Sequence, residues 1–449
     1  MKSETNSSVS IDNIYQLDGK VPIAKAIPFG IQHVLAMFVA NIAPIILVVG
    51  AATAANPDLD IDLASLIQNA MFIAGLGSLI QLYPVWKIGS RLPIIMGVSF
   101  TFLASLIYVS TTFNYETMIG AIIVGGIIEG TLGLLAKYWR KFIAPIVSAC
   151  VVTAIGFSLL SVGAASFGGG NGASDFGSTR NLLLGTITLI SCLSFNSLAK
   201  GFWKQLSVLF GLIVGYIIAV FMGMVDFSPI AEAGLFSIPK FMPFKPQFNL
   251  SAIMAMVVVF LVSAAETIGD TTAVCAGGLG RDITEKEIQG SLACDGFLSA
   301  VSGLFGCTPI TSFSQNVGLV AMTKVVNRFT IMFGALTLIL AGLFPKVGAL
   351  LATLPEPVLG GCTIMMFGSI VVSGIGMIAD CGFSQRNTTI AALSLSIGIG
   401  FTQIPEIYQQ LPTLFRDVFS SNPVANVFVI AIVMSLILPK EREEKQKEN

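Results

Sequence analysis

Five ionisable residues stand inside long apolar runs of this 449-residue chain: His33, Glu129, Glu266, Asp270 and Asp295. An ionisable group at membrane depth is costly, so each is a candidate for function. Glu266 and Asp270 lie four residues apart in LVSAAETIGDTTAV, which puts both on one face of a helix. Two carboxyls that close in a low dielectric resist ionising together, and one of them can then carry a proton. The alternative is a structural pair satisfied by backbone groups and the hydroxyls of Thr267, Thr271 and Thr272. Asp295, in ACDGFLSA, either relays protons or ties its segment to a neighbour. Glu129 is expected near a helix end, reaching water beside Lys137 and Arg140, and His33, in IQHVLAMF, reads as a helix-to-helix hydrogen bond.

The neutral candidates sit in two segments that do not look like ordinary helices, RLPIIMGVSFTF (91–102) and GCTPITSFSQNVGLVAMTK (306–324). Each has a Pro, a Gly, β-branched residues and Ser-Phe where a helix should run. Non-helical backbone at membrane depth survives only where protein or a cavity satisfies it. If TSFSQN is an extended stretch leading into a helix at Gln315 or Asn316, the new helix N-terminus points N–H groups at the bilayer midplane, and GVSF does the same from the other side. Two such ends favour an electron-rich ligand. Gln315 adds an amide that donates and accepts. Glu266 accepts, or donates when protonated, and Phe100 and Phe313 offer flat apolar faces. A planar molecule with alternating N–H and C=O groups fits this set.

The elements that must position these residues follow from composition. Only 11% of residues are charged and 54% are hydrophobic, against about 25% charged in a soluble domain; mean hydropathy is +0.84. This is an all-α polytopic membrane protein, not a secreted disulfide scaffold, a disordered chain or a cytosolic enzyme. With one His and seven scattered Cys, metal-centred catalysis and a disulfide framework are not expected. The charges form no nucleic-acid footprint.

Apolar stretches near 28–50, 65–83, 92–109, 117–136, 142–166, 181–199, 204–224, 251–273, 288–305, 307–325, 328–353, 357–379, 387–403 and 422–438 give fourteen transmembrane segments. With both termini cytoplasmic, only Arg180, Lys240, Lys245, Lys346 and Arg416 fall outside, as the positive-inside rule requires. The polar first 20 residues lack a signal-peptide core and, with PKEREEKQKEN (439–449), read as cytoplasmic tails. The broken segments are each third in a group of seven. An odd number of spans per group makes the two groups inverted repeats. FGGGNGASDFGS (167–178) lacks a following GK[ST] and is expected to be a flexible loop, not a phosphate cradle.

QNVGLVAMT (315–323) fits the pattern Q/E/P-N-x-G-x-x-x-x-T, and QH at 32–33, GSRLPIIMGVSF (89–100), ETIGD (266–270) and DG (295–296) stand in the order of further landmarks. In these motifs the chain resembles the nucleobase–ascorbate transporter family, in its xanthine/urate permease branch. The resemblance implies a core domain (25–136 and 251–353), a gate domain (137–225 and 354–438) and an extracellular loop (226–250), with tails at 1–24 and 439–449. It implies short strands in the third and tenth segments, and homodimers formed through the gate. It assigns substrate binding to Glu266, Gln315, Ser99, Phe100, Phe313 and Asn316, coupling to Asp270, Asp295 and Glu266, and site organisation to His33 and Thr323. Gln at position 315 points to xanthine or urate, where Glu points to uracil and Pro to ascorbate. The implied activity is proton-coupled uptake across the cell (inner) membrane. No resident cofactor is expected, only a co-transported proton, with sodium the alternative.

Overall fold

The computed structural model describes residues 9–140 and 143–439. Lys141, the first eight residues and the tail from residue 440 lie outside the described residues.

Each of the fourteen apolar stretches carries a helix. We label these α1 (Ile23–Ala55), α2 (Leu63–Leu82), α3 (Leu103–Thr112), α4 (Tyr115–Leu134), α5 (Pro145–Phe167), α6 (Thr179–Leu198) and α7 (Ser207–Phe221). They continue as α8 (Leu250–Ala273), α9 (Glu285–Leu304), α10 (Ser314–Thr323), α11 (Arg328–Ala341), α12 (Glu356–Asp380), α13 (Gln385–Gly400) and α14 (Pro423–Ile437). Among the described residues, seven helices are long and apolar enough to cross a membrane, or nine if two bent pairs count as single spans. The shortfall has local causes. The polypeptide before α3 and α10 is extended, which halves those helices. α9 carries Glu285, Lys286, Glu287 and Asp295. α11 turns by 80° into Pro345–Ala352, and Thr413–Phe419 meets α14 at 102°; in both, a Pro opens the second helix.

Side-chain caps set many of the helix starts. Asp62, Asn114, Ser178, Asn249, Asn327, Ser384 and Asn422 each accept a bond from a first-turn N–H. At α9, Thr284 and Glu287 form a capping box that Arg281 closes with an ion pair.

Helices α1–α4 pack chiefly with α8, α9 and α11, and α5–α7 chiefly with α12–α14. The closest approach in the first group is between α4 and α9. A Cβ on Gly296 would lie 2.1 Å from the Gly130 nitrogen, so only glycine lets these backbones touch. The stretch before α8 is laid across helix ends. Asn69 Nδ2 donates to the Lys240 carbonyl, and the Gln247 N–H donates to the Glu116 carbonyl.

The Gly-rich stretch is not the loose loop its composition suggests. Gly169, Gly170, Gly172 and Gly177 take left-handed φ, the Gly177 N–H bonds the Gly168 carbonyl, and the Asn181 amide donates to the Gly168 and Asp175 carbonyls. It is a chain of tight turns pinned to the start of α6.

Candidate functional site

Two strands form the floor of the site, β1 (Met96–Val98) and β2 (Ile310–Ser312). They pair antiparallel, with Met96 opposite Ser312 and Val98 opposite Ile310. A two-stranded ribbon leaves its outer edges unbonded, an untenable state in an apolar interior. Buried side chains from three helices close them. On α1, the Asn41 Oδ1 accepts from the Val98 N–H (2.8 Å), and on α2 the Ser78 Oγ accepts from the Met96 N–H (2.8 Å). On α9, Asp295 Oδ2 accepts from the Ser312 N–H (3.0 Å), and Ser299 Oγ accepts from the Ile310 N–H (3.1 Å). Gly97 sits where a Cβ would lie within 3 Å of Met37, Phe313 and Asn41, so the ribbon passes only as glycine there.

Each strand runs into a helix start. After β1, Ser99 Oγ caps a short 3-10 turn at Phe100–Phe102 by accepting from the Thr101 N–H. After β2, α10 begins at Ser314. Both starts border a cavity of about 340 Å³ that is also lined by Glu266, Asp270, Ile155 and Ser373. Thr101 Oγ1 donates to Glu266 Oε2 at 2.5 Å. Ser314 Oγ lies between the carboxyls, 2.8 Å from Asp270 Oδ2 and 3.5 Å from Glu266 Oε1. The pair therefore does share one face and one hydroxyl. Thr267, Thr271 and Thr272 do not satisfy it: Thr267 donates to Asp295, and the other two bond back to their own helix.

Among the described residues no Lys, Arg or His lines this cavity, so ionised Glu266 and Asp270 would stand together with no counter-charge, an arrangement that costs several kcal/mol. The Gln315 amide and the Ser148 and Ser373 hydroxyls line it and make no hydrogen bond among the described residues. A second space of about 370 Å³, sharing Ser314, Gln315, Ile370 and Ser373, leads past α7 to Lys204. The Phe100 ring meets Phe367 of α12 edge-on at 5.2 Å, so the aromatic wall touches both helical groups.

Glu266, Gln315, Ser99, Phe100, Phe313 and Asp270 thus come together around one space. The other expected residues stand behind it. Asn316 is buried, its Nδ2 donating to His33 Nδ1 (2.5 Å) and its Oδ1 accepting from the Ile95 N–H (3.2 Å). This joins α1 to α10 and to the approach of β1. Asn316→Ala strands the Ile95 N–H in the interior and is expected to cost about 1–3 kcal/mol, read as a lower unfolding temperature of the purified protein; an unchanged temperature would remove this anchoring role. Asp295 is fully buried among donors. Thr323 closes the last turn of α10, bonding the Leu319 carbonyl, far from the cavity. Glu129 does not reach water: it is 1% exposed and neither carboxyl oxygen has a partner among the described residues. The helix ends at Leu134, close to where the apolar count placed it, but its crossing with α9 at Gly130 and Gly296 encloses the side chain.

Sequence reasoning passed over Thr101, Ser314, Asn41, Ser78, Gln81 and Ser299. Their signal was available: each is a polar residue set in an apolar stretch, and Ser299 follows Asp295 by one helical turn. Among the described residues no group of three or more His, Cys, Asp or Glu could hold a metal ion.

Two helix starts meet over a cavity that holds a carboxyl pair and is walled by a second helical group. The chain belongs to the Permease family, whose model matches residues 24–407. It is 34% identical over 453 residues to a Clostridium perfringens protein named as a purine permease, covering 100% of this chain and 98% of that one. It is 33% identical over 445 residues to the xanthine permease XanQ of Escherichia coli, covering 95% and 94%. The fold is also that of the transmembrane domain of a cyanobacterial bicarbonate transporter, BicA, with a TM-score of 0.55 at 15% identity over 88% of this chain and 97% of that domain.

Proposed function

We propose that this permease takes up oxidised purine bases, xanthine or urate, across the cell membrane in symport with protons. The observation that carries the reading is the Glu266–Ser314–Asp270 cluster facing an unbonded Gln315 amide in one cavity. A purine with adjacent C=O and N–H groups gives the amide an acceptor and a donor at once. Phe100 and Phe313 stack against its faces. The names of the relatives, a purine permease and a xanthine permease, favour the same substrate class.

In this reading fourteen segments span the membrane as two inverted repeats, with both termini cytoplasmic. The group 25–136 with 251–353 is the moving core, and 137–225 with 354–438 is the gate through which homodimers form. The split in helix packing supports the division. Binding the base and protonating one carboxyl removes the unpaired charge, and the loaded core can then slide past the gate.

The test is uptake of labelled xanthine into proteoliposomes with an imposed inward proton gradient, competed by urate and uracil. Gradient-dependent uptake blocked by urate and not by uracil is expected. Uptake that follows a sodium gradient alone would overturn the coupling, and block by uracil alone would overturn the substrate. Gln315→Glu replaces a donor with an acceptor and leaves a substrate carbonyl unpaired, a loss of about 1–3 kcal/mol. Xanthine affinity should fall roughly ten- to hundredfold in the same competition assay; an unchanged affinity would mean that Gln315 does not read the base.

A further inference from the structure

A third space, of about 350 Å³, lies toward the opposite end of the molecule from Lys204, between the end of α1, the end of α5 and the folded Gly-rich loop. One acidic side chain faces it, Glu356 at the start of α12. Its Oε2 is enclosed and accepts no hydrogen bond among the described residues. The helix start does not supply one: Pro357 has no N–H, and the Val358 and Leu359 N–H groups both bond the Pro355 carbonyl. The carboxyl is wedged between two glycines of different elements. A Cβ on Gly50 would stand 3.0 Å from Glu356 Oε1, and one on Gly170 would stand 3.2 Å from its Cγ.

The rest of the lining is small residues on the Gly-rich loop and the end of α1, apolar Leu47, Ile107 and Val162, and the polar side chains of Thr53, Ser166 and Asn171. Thr53 spends its proton on the Val49 and Gly50 carbonyls, which turns its oxygen into a further acceptor. The Ser166 hydroxyl, in the same wall, bonds the carboxyl, and Oε2 keeps acceptor capacity that a ligand bringing N–H groups would fill. An unbonded acceptor at the wall, with apolar Leu47, Ile107 and Val162 beside it, suits the N–H edge of a planar heterocycle, and the volume lies within the range of small-molecule sites.

We infer that the vestibule beside Glu356 is a second binding site for the purine base, separate from the central cavity and on the far side of the molecule from Lys204. This rests on the proposed substrate class. The experiment is equilibrium dialysis of labelled xanthine against the full-length purified protein, up to millimolar ligand. Two sites per chain are expected in the wild type. Glu356→Gln, nearly identical in shape, should weaken one of them by more than about tenfold and leave the other and the unfolding temperature unchanged. Gln315→Glu should weaken only the other. A single site in the wild type, lost in Gln315→Glu and untouched in Glu356→Gln, overturns this inference and leaves the central-site reading standing. No xanthine binding at all overturns both.

Discussion

Replacing Glu266 by Gln should leave xanthine exchange running and abolish xanthine accumulation. Glu266 and Asp270 share the Ser314 hydroxyl, and Glu266 takes a second bond from Thr101 at 2.5 Å. Both bonds come from neutral donors, and among the described residues the cavity lining holds no Lys, Arg or His to balance a second negative charge. In the proposed mechanism an empty, deprotonated core would carry unpaired charge past the gate, whereas a core that has taken up a proton would not. Gln at 266 keeps the acceptor that Thr101 needs and the size of the side chain, but it cannot exchange a proton. The variant should behave as if permanently protonated: it is expected to bind and swap base across the membrane while an imposed proton gradient no longer drives net uptake. Counterflow into preloaded proteoliposomes should persist while gradient-driven uptake falls to the level of liposomes without protein. Accumulation at the wild-type level would show that the coupling proton rides elsewhere, with Asp270 the next carboxyl to test.

How much of this could be read from residues alone differs between the two kinds of element. Long helices were legible because apolar length and terminal caps are local properties; α5 and α12 begin and end close to where the hydropathy places them. The broken segments were legible as well, since Pro93 and Gly97, and Pro309 with a β-branched run, cannot sit in a straight helix. The partners of the strands were not. Asn41, Ser78, Asp295 and Ser299 meet the ribbon from helices far apart in sequence, and no periodicity reports which polar residue faces which strand. The same limit applies to Glu129. Its distance from Lys137 along the chain suggested water, but the close crossing of α4 over α9 at Gly130 and Gly296 seals it in. For Asn316, adjacency to Gln315 suggested contact with the ligand. The turn of α10 instead sends neighbouring side chains to different faces, Gln315 to the cavity and Asn316 to His33.

Asp295 offers the sharpest separation between carrying a proton and holding a shape. Its side chain is 0% exposed, and everything around it donates: Gln81 Nε2 at 3.2 Å, Thr267 Oγ1 at 2.6 Å, the Ser312 N–H at 3.0 Å and the Ser312 hydroxyl at 3.2 Å. A carboxylate has acceptor capacity for all four, and an amide has one oxygen and a donor that would face another donor. Asp295→Asn therefore leaves at least one buried donor unpaired, at about 1–3 kcal/mol for each. The loss falls on β2, which leads directly into Phe313, Ser314 and Gln315. The variant should unfold at a lower temperature and bind xanthine at least roughly tenfold more weakly, because the strand that delivers Gln315 is no longer pinned. Its dependence on the proton gradient should survive in whatever uptake remains, since Glu266, Asp270 and Ser314 are intact. This makes Asp295 a positioning residue, and the gradient dependence is the readout that decides it. Residual uptake indifferent to the gradient, with an unchanged unfolding temperature, would instead place Asp295 on the proton's path.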